Sequence, residues 1–391
     1  MNRYKLIYIF TYAPIGVLCP LIGQYLKHLG FSGTQIGTIT AVGTFTSIIA
    51  AAFWGKIYSS STSKNKILAF LCLTAAAISM FSLTASTFLP YTLIYGAMYF
   101  FQGPIMGLTD AMALEASVDF SKVRLFGAAG YAVSVFLGGR ICDILGLDKI
   151  FPIYTITFII GALLILGIPK EELANFHSIH KTEKAHIGYK VLLKDKPVIY
   201  LIIVGIFIFG TNVANNTYFG FLYIDGGGTV SGLGLMFLLM AGSEVPFMAL
   251  APVISKKFGI NKVILVAITL SFLRFGFYST GPAWYLLMGT FMLQGMVNGI
   301  LLVEYIKFIS SIVDKKAIGL AVSAFYAVSA NMGTICATFL GGIAMDHFGS
   351  RGVYGIFAIL NFIGLILYLH FKFEKKGKKF KNVVDNERDR W

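Results

Sequence analysis

Charged residues are scarce in this chain of 391 residues, of which only 13% are Asp, Glu, Lys or Arg. An average soluble domain carries about 25% charged residues, and a soluble protein of this length must cover its core with a solvated shell. The composition therefore excludes a soluble enzyme. It also excludes a disordered chain, because 57% of the residues are hydrophobic. These figures indicate a polytopic membrane protein, in which lipid takes the place of the polar shell.

Cysteine is scarce as well. The four cysteines all lie in apolar segments and none forms a CxxC pair, which excludes a thiol-based metal or redox motif. The sequence also lacks clusters of His, Cys and Asp with metal-ligand spacing. The phosphate-binding loop Gly-x4-Gly-Lys-Ser/Thr is missing, so ATP does not drive this protein. We therefore expect a protein that is not an enzyme and has no cofactor.

Long apolar runs, by contrast, fill the sequence. A helix needs about 20 apolar residues to cross ~30 Å of hydrocarbon, and twelve runs reach that length. The twelve predicted spans cover residues 5–27, 35–58, 66–87, 89–114, 122–143, 149–168, 197–223, 229–255, 261–280, 283–309, 317–345 and 352–371. The sequence therefore predicts an all-α membrane protein with twelve transmembrane helices.

The longest polar stretch, residues 169–196, separates the first six predicted spans from the last six and carries six Lys. We interpret it as a cytoplasmic linker between an N-terminal half, residues 1–168, and a C-terminal half, residues 197–371. Residues 372–391 follow the last span as a basic cytoplasmic tail.

The distribution of positive charge predicts the orientation. With the N-terminus in the cytoplasm, 26 of the 32 Lys and Arg fall in inner segments and four in outer segments. Because cytoplasmic loops are enriched in Lys and Arg, both termini are predicted to be cytoplasmic, in a multi-pass protein of the inner (plasma) membrane. Topology thereby explains the net charge of +14, and we expect no nucleic acid partner.

An internal repeat links the two halves. The segments FLGGRICDILG (Phe136 to Gly146) and FLGGIAMDHFG (Phe339 to Gly349) share the pattern F-L-G-G-x-x-x-D-x-x-G. They lie about half the chain apart, at the ends of the fifth and the eleventh predicted spans. Spans that correspond at an interval of six indicate two pseudo-symmetric six-helix halves.

Four further stretches are distinctive: PLIGQYLKHLGFSGTQIGTITA, GLTDAMALEASVDFSKVRLFGAAGYA, SEVPFMALAPVISKKFG and LRFGFYS. With the repeat, they resemble the major facilitator superfamily over nearly the whole chain. The resemblance is greatest to the branch of lactose permease, other oligosaccharide–proton symporters and phenylpropionate permease-like proteins. It implies a mid-membrane cavity between two halves, exposed alternately to each side, and transport driven by a proton gradient. We expect a monomer whose partners are a small-molecule substrate, protons and the lipid bilayer.

Charged side chains within spans are costly, about 2.5–3.5 kcal/mol each, and therefore mark functional candidates. Asp110 and Arg124 lie on consecutive spans, and the resemblance implies that such an acid and Arg hold the substrate. Alternatively, the two form an ion pair that only fixes the helices. Tyr131 lies two helical turns after Arg124 on the same face. The resemblance implies a ring here that stacks on the substrate; ordinary aromatic packing is the alternative.

A polar cluster in the seventh span, GTNVANNTYFGFLY, adds Asn212, Asn215 and Asn216. Asparagine amides both donate and accept hydrogen bonds, so they suit a hydroxylated substrate. Hydrogen bonding between helices explains them equally well.

Four charged residues of the second half are candidates for proton coupling. Glu244 has no charged partner within its own helix, and a buried carboxylate without a partner can load a proton, although Arg274 could neutralise it instead. Glu304 and Lys307 are spaced i, i+3 and can pair within one helix. In the sugar symporters the tenth span carries a His and a Glu for proton coupling. The His is missing here, so that machinery does not carry over whole.

We therefore expect a secondary active transporter that takes up a small metabolite, such as a sugar, a nucleoside or an aryl acid, together with protons. The alternative among carriers is a proton-driven efflux antiporter for drugs, lipids or secreted metabolites. From a different class, a channel or a non-transporting membrane receptor also remains open.

Overall fold

The computed structural model describes residues 2–116, 118–168, 196–313 and 318–371, in which the regular secondary structure is helical. The first half contains α1 (Asn2–His28), α2 (Gly33–Ser60), α3 (Lys64–Phe81), α4 (Phe88–Gln102), α5 (Ile105–Glu115), α6 (Phe120–Leu145) and α7 (Ile150–Leu166). The second half contains α8 (Lys196–Asp225), α9 (Val230–Phe258), α10 (Ile260–Ser279), α11 (Trp284–Ile312), α12 (Ile318–Ala324) and α13 (Gly333–His370). A π-helical segment, Phe325–Met332, joins α12 to α13.

Ten helical stretches of the described residues are long and apolar enough to cross a membrane. The last of them, Ile318–His370, has 53 residues. At 1.5 Å per residue it would be about 80 Å long, more than twice the ~30 Å of a bilayer core, and it turns back at Gly349. Helices α4 and α5 are each too short to cross alone, but they follow one another across Gly103 and Pro104. With α4 and α5 together counted as one pass and Ile318–His370 counted as two, the helices give the predicted twelve passes.

Most of the predicted linker and all of the predicted tail, 169–195 and 372–391, lie outside the described residues. Lys196, the last residue of the predicted linker, is the first residue of α8.

Both copies of the repeat end in a glycine with a positive φ. Gly146 ends α6 at φ 104° and ψ 152°, and Gly349 interrupts α13 at φ 66° and ψ −166°. Side chains other than glycine rarely adopt these angles. The last position of the motif is therefore explained by the sharp turn that each copy must make at the same face of the bundle.

We call the face at which α1 begins and α13 ends the terminal face, and the opposite one the far face. Near the far face one buried apolar cluster includes residues of both halves, among them Tyr25, Phe221 and Phe357. A second buried cluster, which includes Val204 and Ile264, belongs to the second half alone. The halves therefore share a core towards the far face and have separate cores towards the terminal face.

Candidate functional site

An ion pair joins α5 to α6 in the first half. Arg124 Nη1 donates a hydrogen bond to Asp110 Oδ2, so the structure brings together the two residues that the sequence proposed as partners. The Arg124 side chain remains 48% exposed and that of Asp110 21% exposed. Because a guanidinium has five N–H donors, a pair joined in this way still offers Arg124 donors to a ligand.

Two tyrosines of α1 complete this site. Tyr8 donates to Asp110 Oδ1 at 2.9 Å, and Tyr12 donates to the same oxygen at 3.3 Å. Their rings stack with centroids 5.6 Å apart. Neither residue was among the candidates predicted from the sequence, although a signal was present, since two tyrosines spaced i, i+4 in an apolar helix need partners for their hydroxyl groups.

Tyr131 lies further along α6 and is half-buried. It is on the same helix as Arg124, and this helix packs against α9, the helix of Glu244 in the other half. The predicted aromatic residue therefore lies on a helix that carries Arg124 and borders the second half.

Arg274 of α10 is almost fully buried, with 3% of its surface exposed. It donates to Gln294 Oε1 and, at 2.8 Å, to Asn212 Oδ1. Its guanidinium lies 4.5 Å from the centroid of the Phe275 ring. Within the described ranges no carboxylate lies within ion-pair distance of Arg274, so in this conformation amide oxygens and an aromatic ring stabilise its charge.

The same amide network includes a second asparagine. Asn215 donates to Gln294 Oε1 at 2.7 Å and accepts from the Tyr354 hydroxyl at 2.8 Å. In this conformation Asn212 and Asn215 thus bond between helices, which was one of the two interpretations of the polar cluster. Gln294 bridges them to Arg274.

Asn216 differs from these two neighbours. It is half-buried, and its Oδ1 atom is buried with no hydrogen-bond partner among the described residues. On α1, in the other half, Gln24 Nε2 is likewise buried without a partner in that part of the chain. A buried polar atom without a hydrogen-bond partner costs free energy, which makes these two amides candidates for binding another polar group.

Glu244 lies on α9, where α9 packs closely on α11. A Cβ atom added to Gly299 would lie 2.6 Å from the Glu244 carbonyl oxygen, and one added to Gly295 would lie 3.0 Å from its nitrogen. Gly295 and Gly299 form the small-xxx-small spacing that allows helices to touch. The carboxylate is half-buried and has no hydrogen bond or ion pair with a described residue. The possible pairing of Glu244 with Arg274 is not present here.

Glu304 and Lys307 lie together on α11. The Glu304 side chain is fully buried, and Lys307 Nζ lies 3.8 Å from its Oε2 atom. Lys307 also donates to Ser255 Oγ of α9 at 3.1 Å. This geometry is the intrahelical pair that the i, i+3 spacing predicts.

Twelve apolar passes in two halves, with charged groups inside each half and a core shared at one face only, define a secondary transporter of the major facilitator type. A family model described as MFS_1 like family matches residues 1–356. The chain therefore belongs to this family of transporters, and the predicted fold and family resemblance are confirmed.

Relatives match along nearly the whole chain. The uncharacterized transporter YwbF of Bacillus subtilis (strain 168) is 29% identical over 386 residues, which cover 95% of this chain and 93% of YwbF. The maltose permease of Geobacillus stearothermophilus is 28% identical over 374 residues, covering 94% and 93%. Among solved structures, the nucleoside transporter NupG shares the fold with a TM-score of 0.82 at 17% identity, covering 95% of this chain and 98% of NupG.

We predict that Gln294→Leu lowers the free energy of unfolding by about 1–3 kcal/mol, because it removes an acceptor from a buried guanidinium. The measurement is chemical unfolding of purified protein in detergent. The same substitution introduced beside Arg274→Met should cost clearly less, since no buried charge is then left unsatisfied. Equal costs in the two backgrounds would show that Arg274 and Gln294 are not coupled.

Proposed function

We propose that this protein takes up a sugar or a nucleoside together with protons across the inner (plasma) membrane as a monomer, with the terminal face in the cytoplasm. The excess of Lys and Arg in the segments of that face supports the orientation. Because the halves share a core only towards the far face, the conformation described is then the one open to the cytoplasm. The proton gradient is the energy source, and no cofactor takes part.

The observation that carries the proposal is the half-exposed Arg124, paired with Asp110. A guanidinium and a carboxylate held in this way offer both donors and acceptors to the hydroxyl groups of a sugar or a ribose. Tyr131 on the same helix supplies a ring for the apolar face of a sugar or for a base. Relatives named maltose permease, sucrose permease and putative nucleoside transporter support this substrate class.

In the second half, Asn216 binds the substrate directly, because its buried oxygen lacks a partner among the described residues. Asn212 and Asn215 lie on the same helix and contact the substrate when the hydrogen bonds around Arg274 and Gln294 rearrange. All three amides suit neutral, hydroxylated ligands better than anions.

Glu244 is the first candidate for the proton site. It is a carboxylate at the interface of the halves with no ion-pair partner, so protonation removes a charge that nothing else neutralises. Arg274, a buried cation of the same half, responds to this change. Glu304 with Lys307 is the second candidate, and its burial keeps it from the cavity in the present conformation.

The uptake proposal is tested with purified protein in proteoliposomes and a panel of labelled sugars and nucleosides. Counterflow of one panel member identifies a carrier substrate. A pH gradient, alkaline inside, should then accumulate that substrate above its external concentration. Extrusion of the substrate under the same gradient would contradict uptake and favour efflux. The absence of counterflow for every member of the panel would contradict the proposed substrate class.

Glu244→Gln should abolish accumulation driven by the pH gradient but preserve counterflow, because exchange does not need the proton to leave the carrier. Glu304→Gln is the matched variant, since it neutralises the other candidate carboxylate. Accumulation by Glu244→Gln at the level of the wild type would remove its role. If only Glu304→Gln loses accumulation, Glu304 takes that role.

Arg124→Gln should reduce counterflow about 10- to 150-fold, the loss expected when a charged hydrogen bond to substrate is removed. The double variant Asp110→Asn, Arg124→Gln separates this role from a purely structural ion pair. It leaves no unpaired charge, so a structural pair predicts recovered counterflow. A contact with the substrate predicts that the folded double variant, monodisperse in size-exclusion chromatography, remains inactive.

A further inference from the structure

The aspartates of the repeated motif, Asp143 and Asp346, take no part in the site described above. The motif gives each of them the same place, three residues before the glycine that turns at the far face. Their surroundings differ, however, and the difference concerns the contact between the halves.

Asp346 bonds across the interface to the beginning of α2. Its Oδ2 accepts from the backbone N–H of Thr34 at 2.8 Å, and its Oδ1 accepts from the backbone N–H of Gly33. First-turn N–H groups have no acceptor within their own helix, and a carboxylate is favourable at this positive end of the helix dipole. We call this contact the clasp: Asp346 with Gly33 and Thr34.

The first turn of α2 is satisfied only when the clasp is formed. Ser32 Oγ accepts from the N–H of Gln35 at 3.2 Å, and the Gln35 side chain accepts from the N–H of Ser32 at 3.0 Å. This capping box leaves the N–H groups of Gly33 and Thr34, which are the two that Asp346 takes. Half of the cap of a helix in the first half therefore comes from the second half.

The clasp requires the two backbones to be in contact. A Cβ atom added to Gly33 would lie 2.7 Å from the Gly342 carbonyl oxygen, and one added to Gly342 would lie 2.4 Å from the Gly33 carbonyl oxygen. Any separation of α2 from α13 at the far face thus breaks both hydrogen bonds of Asp346.

The first copy of the motif has no such contact. Helix α9 of the second half corresponds to α2 of the first. Its beginning is capped by Thr229 of the same half, whose hydroxyl oxygen accepts from the N–H of Gly232 at 3.0 Å. Asp143 is exposed and makes no hydrogen bond or ion pair with residues in the described part of the chain. Duplication placed two aspartates at the far face, and one of them bonds across the interface.

We propose that Asp346 is a positioning residue of the transport cycle: through the clasp it holds the far face closed, and its release accompanies opening to that side. The proposal rests on the alternating access of the proposed function and is independent of the substrate and of the proton site.

The test measures the distance between the halves at the far face by double electron–electron resonance in lipid nanodiscs without substrate. Spin labels are attached at Ser86→Cys and Thr280→Cys, two exposed positions in far-face loops of different halves, after replacement of the four native cysteines. Asp346→Ala should raise the ratio of long to short distances about fivefold or more, the effect expected for loss of a charged helix cap. Asp346→Glu, which keeps the carboxylate, should restore the ratio towards that of the wild type.

Asp143→Asn is the matched control, because it neutralises the corresponding carboxylate without removing a described contact; it should leave the distances unchanged. Hydrogen exchange at Gly33 and Thr34 reports loss of the cap itself. Faster exchange in Asp346→Ala with unchanged distances would mean a local cap and would overturn the proposal, as would an equal shift in Asp143→Asn. Neither result depends on the uptake assay, so the clasp and the proposed function can fail separately.

Discussion

The hydrocarbon core of a membrane offers no water to stabilise a charge, and the arrangement of this protein depends on how its internal charges meet that constraint. Asp110 and Arg124 neutralise each other, with two tyrosine hydroxyls on the carboxylate. Arg274 is bonded by amide oxygens, and Glu304 has Lys307 beside it. Glu244 alone among these groups has neither an ion pair nor a hydrogen bond to another described residue, which makes it the group whose charge state is least determined by its neighbours.

The two halves meet this constraint with different chemistry. The first half presents an ion pair and tyrosines, and the second presents a network of amides around one cation. A pseudo-symmetric fold thus carries two unlike sets of polar groups, one in each half. Unlike sets suit the proposed carrier of small asymmetric molecules, because each half would then bind a different part of the ligand.

Much of this could be predicted from the sequence. Span lengths and charge placement give twelve passes, because hydrophobic thickness and loop charge act on each segment independently. The Asp110–Arg124 pair follows from two consecutive spans joined by a short loop. The contact of Tyr8 with Asp110 could not be predicted, since it depends on which helices become neighbours. For the same reason the sequence offered Glu244 as a partner for Arg274, whereas the packing of α8, α10 and α11 brings amide oxygens to it instead.

The isolation of Arg274 also has an electrical consequence. A guanidinium is protonated at any ordinary pH, so with Glu244 protonated the spans of the second half carry the unbalanced positive charge of Arg274, whereas the Asp110–Arg124 pair of the first half has no net charge. A unit charge that crosses the whole membrane field gains about 2.3 kcal/mol per 100 mV, and one that moves through part of the field gains that part. If the halves rock, the membrane voltage therefore acts unequally on them, and the resting potential of the cell biases which side of the carrier is open.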